Sequence, residues 1–279
     1  MALRRPVYLD AETLMALSDY HDLDVAQLTE VVEKSSKKRS AKAAAGWGML
    51  SGGGGELGKD VELQTSYTIE PSEKATVSKV IDGLIAAGHT VEASPDATLQ
   101  KDDIIEVEGE VRLTAASLAG KMLYVLRKYL ESTDQDIREL DFGDVEPEVL
   151  ALFQSVYLGN ELVPIPLLVD VAGTELGPRV LVNLRPNLFV ESAMIDQIEG
   201  ERRVLGTVRN IVEEGNDGYL STENWLLSGW EYLLRRMVMT QIDHTVQDLV
   251  DALAIDLPAK DVHAWISGPA IILDAVAIY

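Results

Sequence analysis

The sequence predicts an α+β fold: a mixed or antiparallel sheet with helices packed against it. Three observations predict it. Apolar residues recur with period 2 in some stretches and at helical spacing in others, so strands and helices alternate along the chain. A strand-then-helix unit occurs twice in the same order. It reads Val107-Glu108-Gly109-Glu110-Val111-Arg112 before Tyr124-Val125-Leu126-Arg127-Lys128, and Val204-Leu205-Gly206-Thr207-Val208-Arg209 before Tyr232-Leu233-Leu234-Arg235-Arg236. Finally, the chain closes on a nearly all-apolar run from Ala270 to Ile278. Such a run suits a strand buried on both faces, hence a central one. Together these suggest two related halves sharing a terminal strand, with coincidence among common residues as the competing account of the repeat.

The chain divides into four spans: 1–33 with a strand and two helices, a basic, Gly-rich flexible loop at 34–58, a first α/β half at 59–160 and a second at 161–279. In the first span, Pro6-Val7-Tyr8-Leu9 reads as a short strand and Asp10 caps a helix through Tyr20. Asp24 caps a second helix, with Gln27 completing a capping box. From Lys34 to Gly58 no buried face is evident, and loops of that length are usually functional or disordered. This stretch reads either as a mobile surface loop or as a contact loop. Lys37, Lys38 and Arg39 would then meet an anionic partner, with Trp47, Met49 and Leu50 as apolar anchors. Gly53 to Lys59 nearly matches the phosphate-binding pattern G-x-x-x-x-G-K, but Asp60 stands where Ser or Thr should hold magnesium and no apolar strand leads into it.

Beyond the loop, Val61 to Ile69 alternates like a strand. Pro71 opens a helix that Gly88 closes, with Val77, Val80, Ile81 and Leu84 inward. The first repeat strand puts Ile105, Val107, Val111 and Leu113 on one face and Glu106, Glu108 and Glu110 on the other, a wet surface that resists edge pairing. Gly109 and Gly206 fall on the apolar faces and mark a bulge, a bend or close approach of another backbone. An acidic connector comes after the first repeat helix; it lacks the residue order of a calcium loop. Pro147 starts another helix. Leu167–Val171, entered through Pro164 and Pro166, reads as an edge or entering strand, and Arg179–Leu184 as a further strand. Asn187–Ile198 reads as a short helix, and the second repeat helix buries Leu226, Trp230, Leu233, Leu234 and Met237. A last helix carries Ile242, Val246, Leu249, Val250 and Leu253.

The chain has 279 residues, 47% of them hydrophobic, enough for one large domain or two small ones. A net charge of −22 disfavours gripping nucleic acid by its backbone, although the basic stretch Lys34–Lys42 offers a local route. There are no cysteines, which excludes disulfides, thiolate metal sites and Cys nucleophiles. No apolar run is long enough to span a bilayer and no signal peptide is visible, so a cytoplasmic protein is expected.

Chemistry is less legible. The four histidines, His21, His89, His244 and His263, share no motif. The best candidates are aspartates beside or inside apolar strands: Asp10, Asp170 and Asp274. A carboxylate in an apolar strand must be paired, protonated or at a bulge. If these met in space they could hold a divalent cation or act as acid and base.

The Tyr8-Leu9-Asp10 start, the two V-x-G-x-V-R strands and the closing Gly268-Pro269-Ala270 to Ile278-Tyr279 resemble an uncharacterised bacterial family known only as a domain of unknown function. The resemblance covers the full length. It implies a bacterial or phage cytosolic protein and brings no activity, cofactor or catalytic residue. The leading expectation is therefore a non-enzymatic binding or assembly protein that meets a protein partner or a second copy of itself. The alternative is a nucleotide- or metal-dependent enzyme or sensor using Asp10, Asp170 and Asp274.

Overall fold

Runs of alternating or continuous apolar residues become strands that close on themselves. The structure, a computed structural model, describes residues 4–23, 26–44, 61–133, 147–215, 218–242, 251 and 262–279, with side chains left undescribed at 26–28 and 39–44. In chain order the elements are β1 (Tyr8–Leu9), α1 (Ala11–Tyr20), α2 (Ala26–Ala44), β2 (Ser66–Tyr67), α3 (Pro71–Ala86), β3 (Ile104–Leu113), α4 (Ala115–Thr133), α5 (Pro147–Leu158), β4 (Leu167–Ala172), β5 (Arg179–Leu184), β6 (Phe189–Val190), α6 (Ile195–Ile198), β7 (Gly200–Val212), β8 (Tyr219–Ser221), α7 (Glu223–Leu226), α8 (Tyr232–Met239), β9 (Trp265–Ser267) and β10 (Ala270–Ile278).

Five strands form a closed mixed barrel in the order β3-β4-β5-β10-β7 and back to β3. The β5–β10 pair is parallel and the other pairs are antiparallel. The chain's last strand is thus a seam. On one edge β7 borders β10 from Ala270 to Ile278. On the other, β5 covers Ala270 to Asp274 and β1 takes over at Ala277 and Ile278. Strand β6 pairs with β1, and β2 with β6, which extends the sheet outward.

Two apolar cores result. The larger joins the barrel residues to α4, α5 and α7, including Ile105, Val107, Met122, Phe153 and Trp225. The smaller packs α1, α2 and α3 over β1, β2 and the end of β10, through Leu9, Leu14, Val31, Tyr67, Val77, Ile81 and Val276. Local signals place the helices as expected. The carboxylate of Asp10 accepts the Thr13 N–H and caps α1. Pro71 opens α3 with a Glu70/Glu73 capping box, and Gly88 lies just past its end at φ +73°.

Close backbone approach explains the repeat glycines. A Cβ on Gly109 would lie 2.3 Å from the Ala172 carbonyl oxygen, and one on Gly206 2.9 Å from that of Asp274. Two register shifts between β10 and β7 leave Arg209 and Val276 unopposed as bulge residues. The Val276 carbonyl accepts the Asp10 N–H at 2.8 Å, so the second bulge helps set where α1 begins.

Several expectations change. Strand β4 is interior, between β3 and β5, because Pro164 and Pro166 precede it and no ladder N–H is lost. Strand β3 pairs on both edges, so its glutamates face outward from a closed wall rather than guarding an open edge. Asn187–Ile198 is not one helix. Phe189 and Val190 pair with β1 and β2, and only Ile195–Ile198 is helical. The two repeat strands are neighbours in one barrel, but they lead into different structures: β3 runs into the 19-residue helix α4, whereas β7 runs into β8, α7 and α8. Among the described residues no equivalent halves emerge, and the barrel takes β3 from the expected first α/β half, 59–160, and its other strands from the second, 161–279. Helix α2 runs on to Ala44, through Lys34–Lys42. The Asp24 cap, residues 45–60 with the near-phosphate motif, the acidic connector 134–146 and the helix expected over Val246–Leu253 lie outside the described residues.

Two helical glycines give a matched test. A Cβ on Gly83 would have the Leu23 side chain as its nearest neighbour, at 3.7 Å; one on Gly120 would lie 2.5 Å from the Trp225 carbonyl oxygen. Alanine gains helix propensity at both. We expect Gly83→Ala to stabilise by about 0.5–1 kcal/mol, and Gly120→Ala to destabilise by about 1–3 kcal/mol as α7 is pushed off α4. Urea unfolding of both variants checks this.

Candidate functional site

The three aspartates singled out by the sequence are each held by a different arginine. Asp10, almost fully buried, accepts from Thr13 Oγ1 at 2.9 Å and from the Arg185 guanidinium. Asp170 makes a bidentate pair with Arg179, at 3.1 and 2.9 Å. Asp274 accepts from Asn183 Nδ2 at 2.6 Å and from Arg209 at 3.1 Å, and Trp225 Nε1 donates to Asn183 Oδ1 at 2.8 Å. The bulge that leaves Arg209 unopposed lets its side chain reach Asp274. Each pair satisfies the demand that a carboxylate in apolar surroundings be matched by charge and hydrogen bonds. Near Asp10 and Asp274, burial pushes the Tyr8 hydroxyl pKa well above its usual value, and that hydroxyl accepts the Arg185 N–H at 3.0 Å. Among the described residues, no group of three or more His, Asp and Glu side chains is placed to hold a metal ion. The structure gives each of these aspartates an arginine as partner.

The basic stretch sits on a helix. Lys37 is exposed and faces Glu33 at 3.8 Å, and Lys34 pairs with Glu30 at 2.8 Å; both are i, i+4 pairs. Lys38 donates to the Thr68 carbonyl at 2.9 Å and lies 3.5 Å from Glu73, joining α2 to α3. The Arg39 side chain and residues Trp47, Met49 and Leu50 lie outside the described residues.

Two features escaped sequence reasoning. The first is Lys121, fully buried in α4. Its Nζ donates to the Gly159 carbonyl at 3.0 Å, and burial pushes its pKa down to about 8 against a small opposing pull from Glu161. Gly159 and Glu161 belong to a pocket of about 340 Å³, shared with Ser155, Val156, Asn160, Val163 and Met194. The signal was available: Ala115 to Leu126 is apolar on every side apart from small or single polar residues, so no wet face exists for Lys121.

The second is a set of exposed large apolar side chains. Apart from Tyr20 and Leu158, all of those described lie between Ile211 and Trp265: Ile211, Tyr219, Tyr232, Leu233, Met237 and Trp265. Tyr219 and Trp265 meet edge to face at 5.3 Å across the β8–β9 pair. Helix α8 turns Met239 inward, with Leu234 and Val238 packed against the larger core. Its other side leaves Tyr232, Leu233 and Met237 exposed at 56%, 67% and 55%. Helical spacing predicted Leu233 and Met237 as buried. The expected single helix instead breaks at Gly229, where φ is +80°, and α8 restarts with a different face inward. Leu226 and Trp230 are buried as expected.

Lys121 yields a signed pH dependence. Its pKa falls from 10.5 in the unfolded reference to about 8 in the fold. Between those values the unfolded chain binds the extra proton, so this group's contribution to stability rises with pH. Below about pH 8 both states are protonated and the buried charge costs most. Wild type should therefore gain on Lys121→Met as pH rises from 7.5 to 10, by up to about 1.4 kcal/mol per pH unit. Denaturant titrations at several pH values check this; a constant difference would show that the amine titrates normally.

No curated protein matches this sequence, and no solved structure does. Among the described residues no helix is long and apolar enough to cross a membrane. The family model described as Domain of unknown function (DUF6414) matches residues 3–279. The chain is a member of that family.

Proposed function

We propose that this protein is a non-enzymatic binding or assembly protein, and that it meets a protein partner through the surface between Ile211 and Trp265. One observation carries the reading: apart from Tyr20 and Leu158, the large apolar side chains exposed among the described residues all belong to this stretch, three of them on α8 and two paired across β8 and β9. Solitary exposed apolar residues need no explanation, but a cluster of aromatic, Leu and Met side chains is the composition of an interface core. The basic residues nearby fit the same reading. Arg235 and Arg236 lie 5.8 and 5.7 Å from the Tyr232 ring, a positive spot on a chain of net charge −22. Trp47, Met49 and Leu50 would add apolar anchors of the same kind.

The proposal separates folding from association. The outward side of α8 is remote from both cores, so Leu233→Ser with Met237→Ser should change unfolding free energy by less than about 0.5 kcal/mol per site. The same double variant should lose whatever association the wild-type protein shows in light scattering and in crosslinking from its host. Association that survives unchanged in the double variant would overturn the reading.

A further inference from the structure

We propose that the pocket at the end of α5 binds a small free amino acid with an apolar side chain. Its ammonium meets Glu161, and its carboxylate lies on the Gly159 side, where Lys121 supplies the opposite charge. This site is separate from the α8 surface and goes beyond the binding reading above.

The argument begins with two opposite charges that flank one pocket and do not meet. Glu161 lines the pocket and is exposed. It pulls on the Lys121 charge, yet among the described residues no ion pair joins the two. Lys121 stands behind the wall that Gly159 forms. Its side chain is fully buried, and its Nζ donates to the Gly159 carbonyl at 3.0 Å. An ammonium carries three N–H groups, and among the described residues this is the one hydrogen bond it makes. Closing the end of α5 therefore uses only part of what Lys121 offers. A buried charge with one partner is costly, and a carboxylate held nearby offsets that cost. Lys121 does not touch the ligand. Being buried, it is screened far less than an exposed lysine, so its field reaches the pocket through the Gly159 peptide. At pH 7 it carries its charge, since burial lowers its pKa only to about 8.

The rest of the pocket fits the rest of an amino acid. Ser155 and Asn160 bring hydrogen-bond donors. Asn160 Oδ1 already accepts the Asp196 N–H at 3.0 Å, which leaves the Nδ2 for a carboxylate. Val156, Val163 and Met194 form the apolar part. The frame is set in advance. Gly159 N–H donates to the Ser155 carbonyl at 2.7 Å, Ile195 N–H donates to the Asn160 carbonyl at 2.8 Å, and Glu161 bridges to Met194. A volume of about 340 Å³ lies near the lower end for ligand sites, about 300 Å³, so the ligand is small. Other occupants match half of this. A simple amine meets Glu161 but faces the Lys121 charge. A simple acid suits Lys121 but offers nothing to Glu161, and a phosphate brings more negative charge to it. An amino acid carries one charge of each sign a few atoms apart.

The test is isothermal titration calorimetry on the full chain at pH 7 with leucine, valine and methionine. The tightest of them is then compared with two analogues, the amine lacking its carboxylate and the acid lacking its amine. Each analogue should bind about tenfold or more weakly. Glycine, which has no side chain for the apolar wall, should also bind about tenfold or more weakly. Lys121→Met should weaken the amino acid by about tenfold and tighten the amine, because the repelling charge is gone; a merely disturbed pocket would weaken both. Glu161→Gln should weaken the amino acid to a similar degree and spare the acid. Circular dichroism checks that both variants fold; should Lys121→Met fail to, Glu161→Gln and the analogues decide alone. If no amino acid binds at about ten millimolar, water alone fills the pocket and the inference is overturned. It is overturned too if either analogue binds as tightly as the amino acid, or if either folded variant leaves amino-acid binding unchanged. None of these results involves Leu233 or Met237, so the α8 reading stands or falls by its own variants.

Discussion

The arrangement depends on one strand being bordered along its length. Strand β10 bonds to β7 on one side and to β5 and then β1 on the other, so it belongs at once to the barrel and to the outer sheet. It is buried throughout except at Asp274. Burying a single Ile or Leu contributes about 1.5–3 kcal/mol, and β10 supplies several. Its one carboxylate would oppose that gain if left alone. The fold answers with Asn183 from β5, Arg209 from the β7 bulge and, behind Asn183, the indole N–H of Trp225. The polar chain thus results from placing Asp274 in the seam, and it ties α7 to the barrel wall.

Charge obeys the same logic across the molecule. Acidic residues outnumber basic ones by 46 to 24, so many of the scarce cations are used internally. Arg185, Arg179 and Arg209 hold the three strand-side aspartates. Arg4 joins Asp82 and Glu106 where the chain's first and last segments meet, beneath the Tyr279 ring. Lys38 fastens α2 to α3. What remains on the surface is predominantly negative, which keeps copies apart by long-range repulsion. An exposed apolar helix side bearing an arginine is unusual in that setting.

How much of this was legible depends on the range of the determining interaction. Features set within a few residues could be read: the Asp10 cap, Pro71 and Gly88 around α3, the apolar face of β3 and the buried run of β10. Barrel closure could not, because it depends on which strand edges meet far apart in sequence, as Ile271 does with Val180, and alternation gives a face but no partner. The basic stretch misleads for a different reason. Its lysines look like unpaired surface charge, while Glu30 and Glu33 stand four residues before Lys34 and Lys37, the helix-favouring order. The strand aspartates were visible as anomalies. Their arginines were not, since Arg185 lies far from Asp10 in sequence and Arg209 reaches Asp274 only through a bulge.

The outward residues of α8 are where folding and function part. Leu234, Val238 and Met239 suffice to seat the helix on the larger core. Among the described residues Tyr232, Leu233 and Met237 belong to neither core, and each exposes apolar surface at a cost. Among the described residues no packing contact accounts for their character. On the proposed binding reading, a contact that buries them against another chain would. The cations stacked on Tyr232 sharpen the point: an arginine over an aromatic ring gains strength when water is removed from around it. On that proposed reading, the groups that are poorly matched to solvent in the monomer would be well matched to a partner surface.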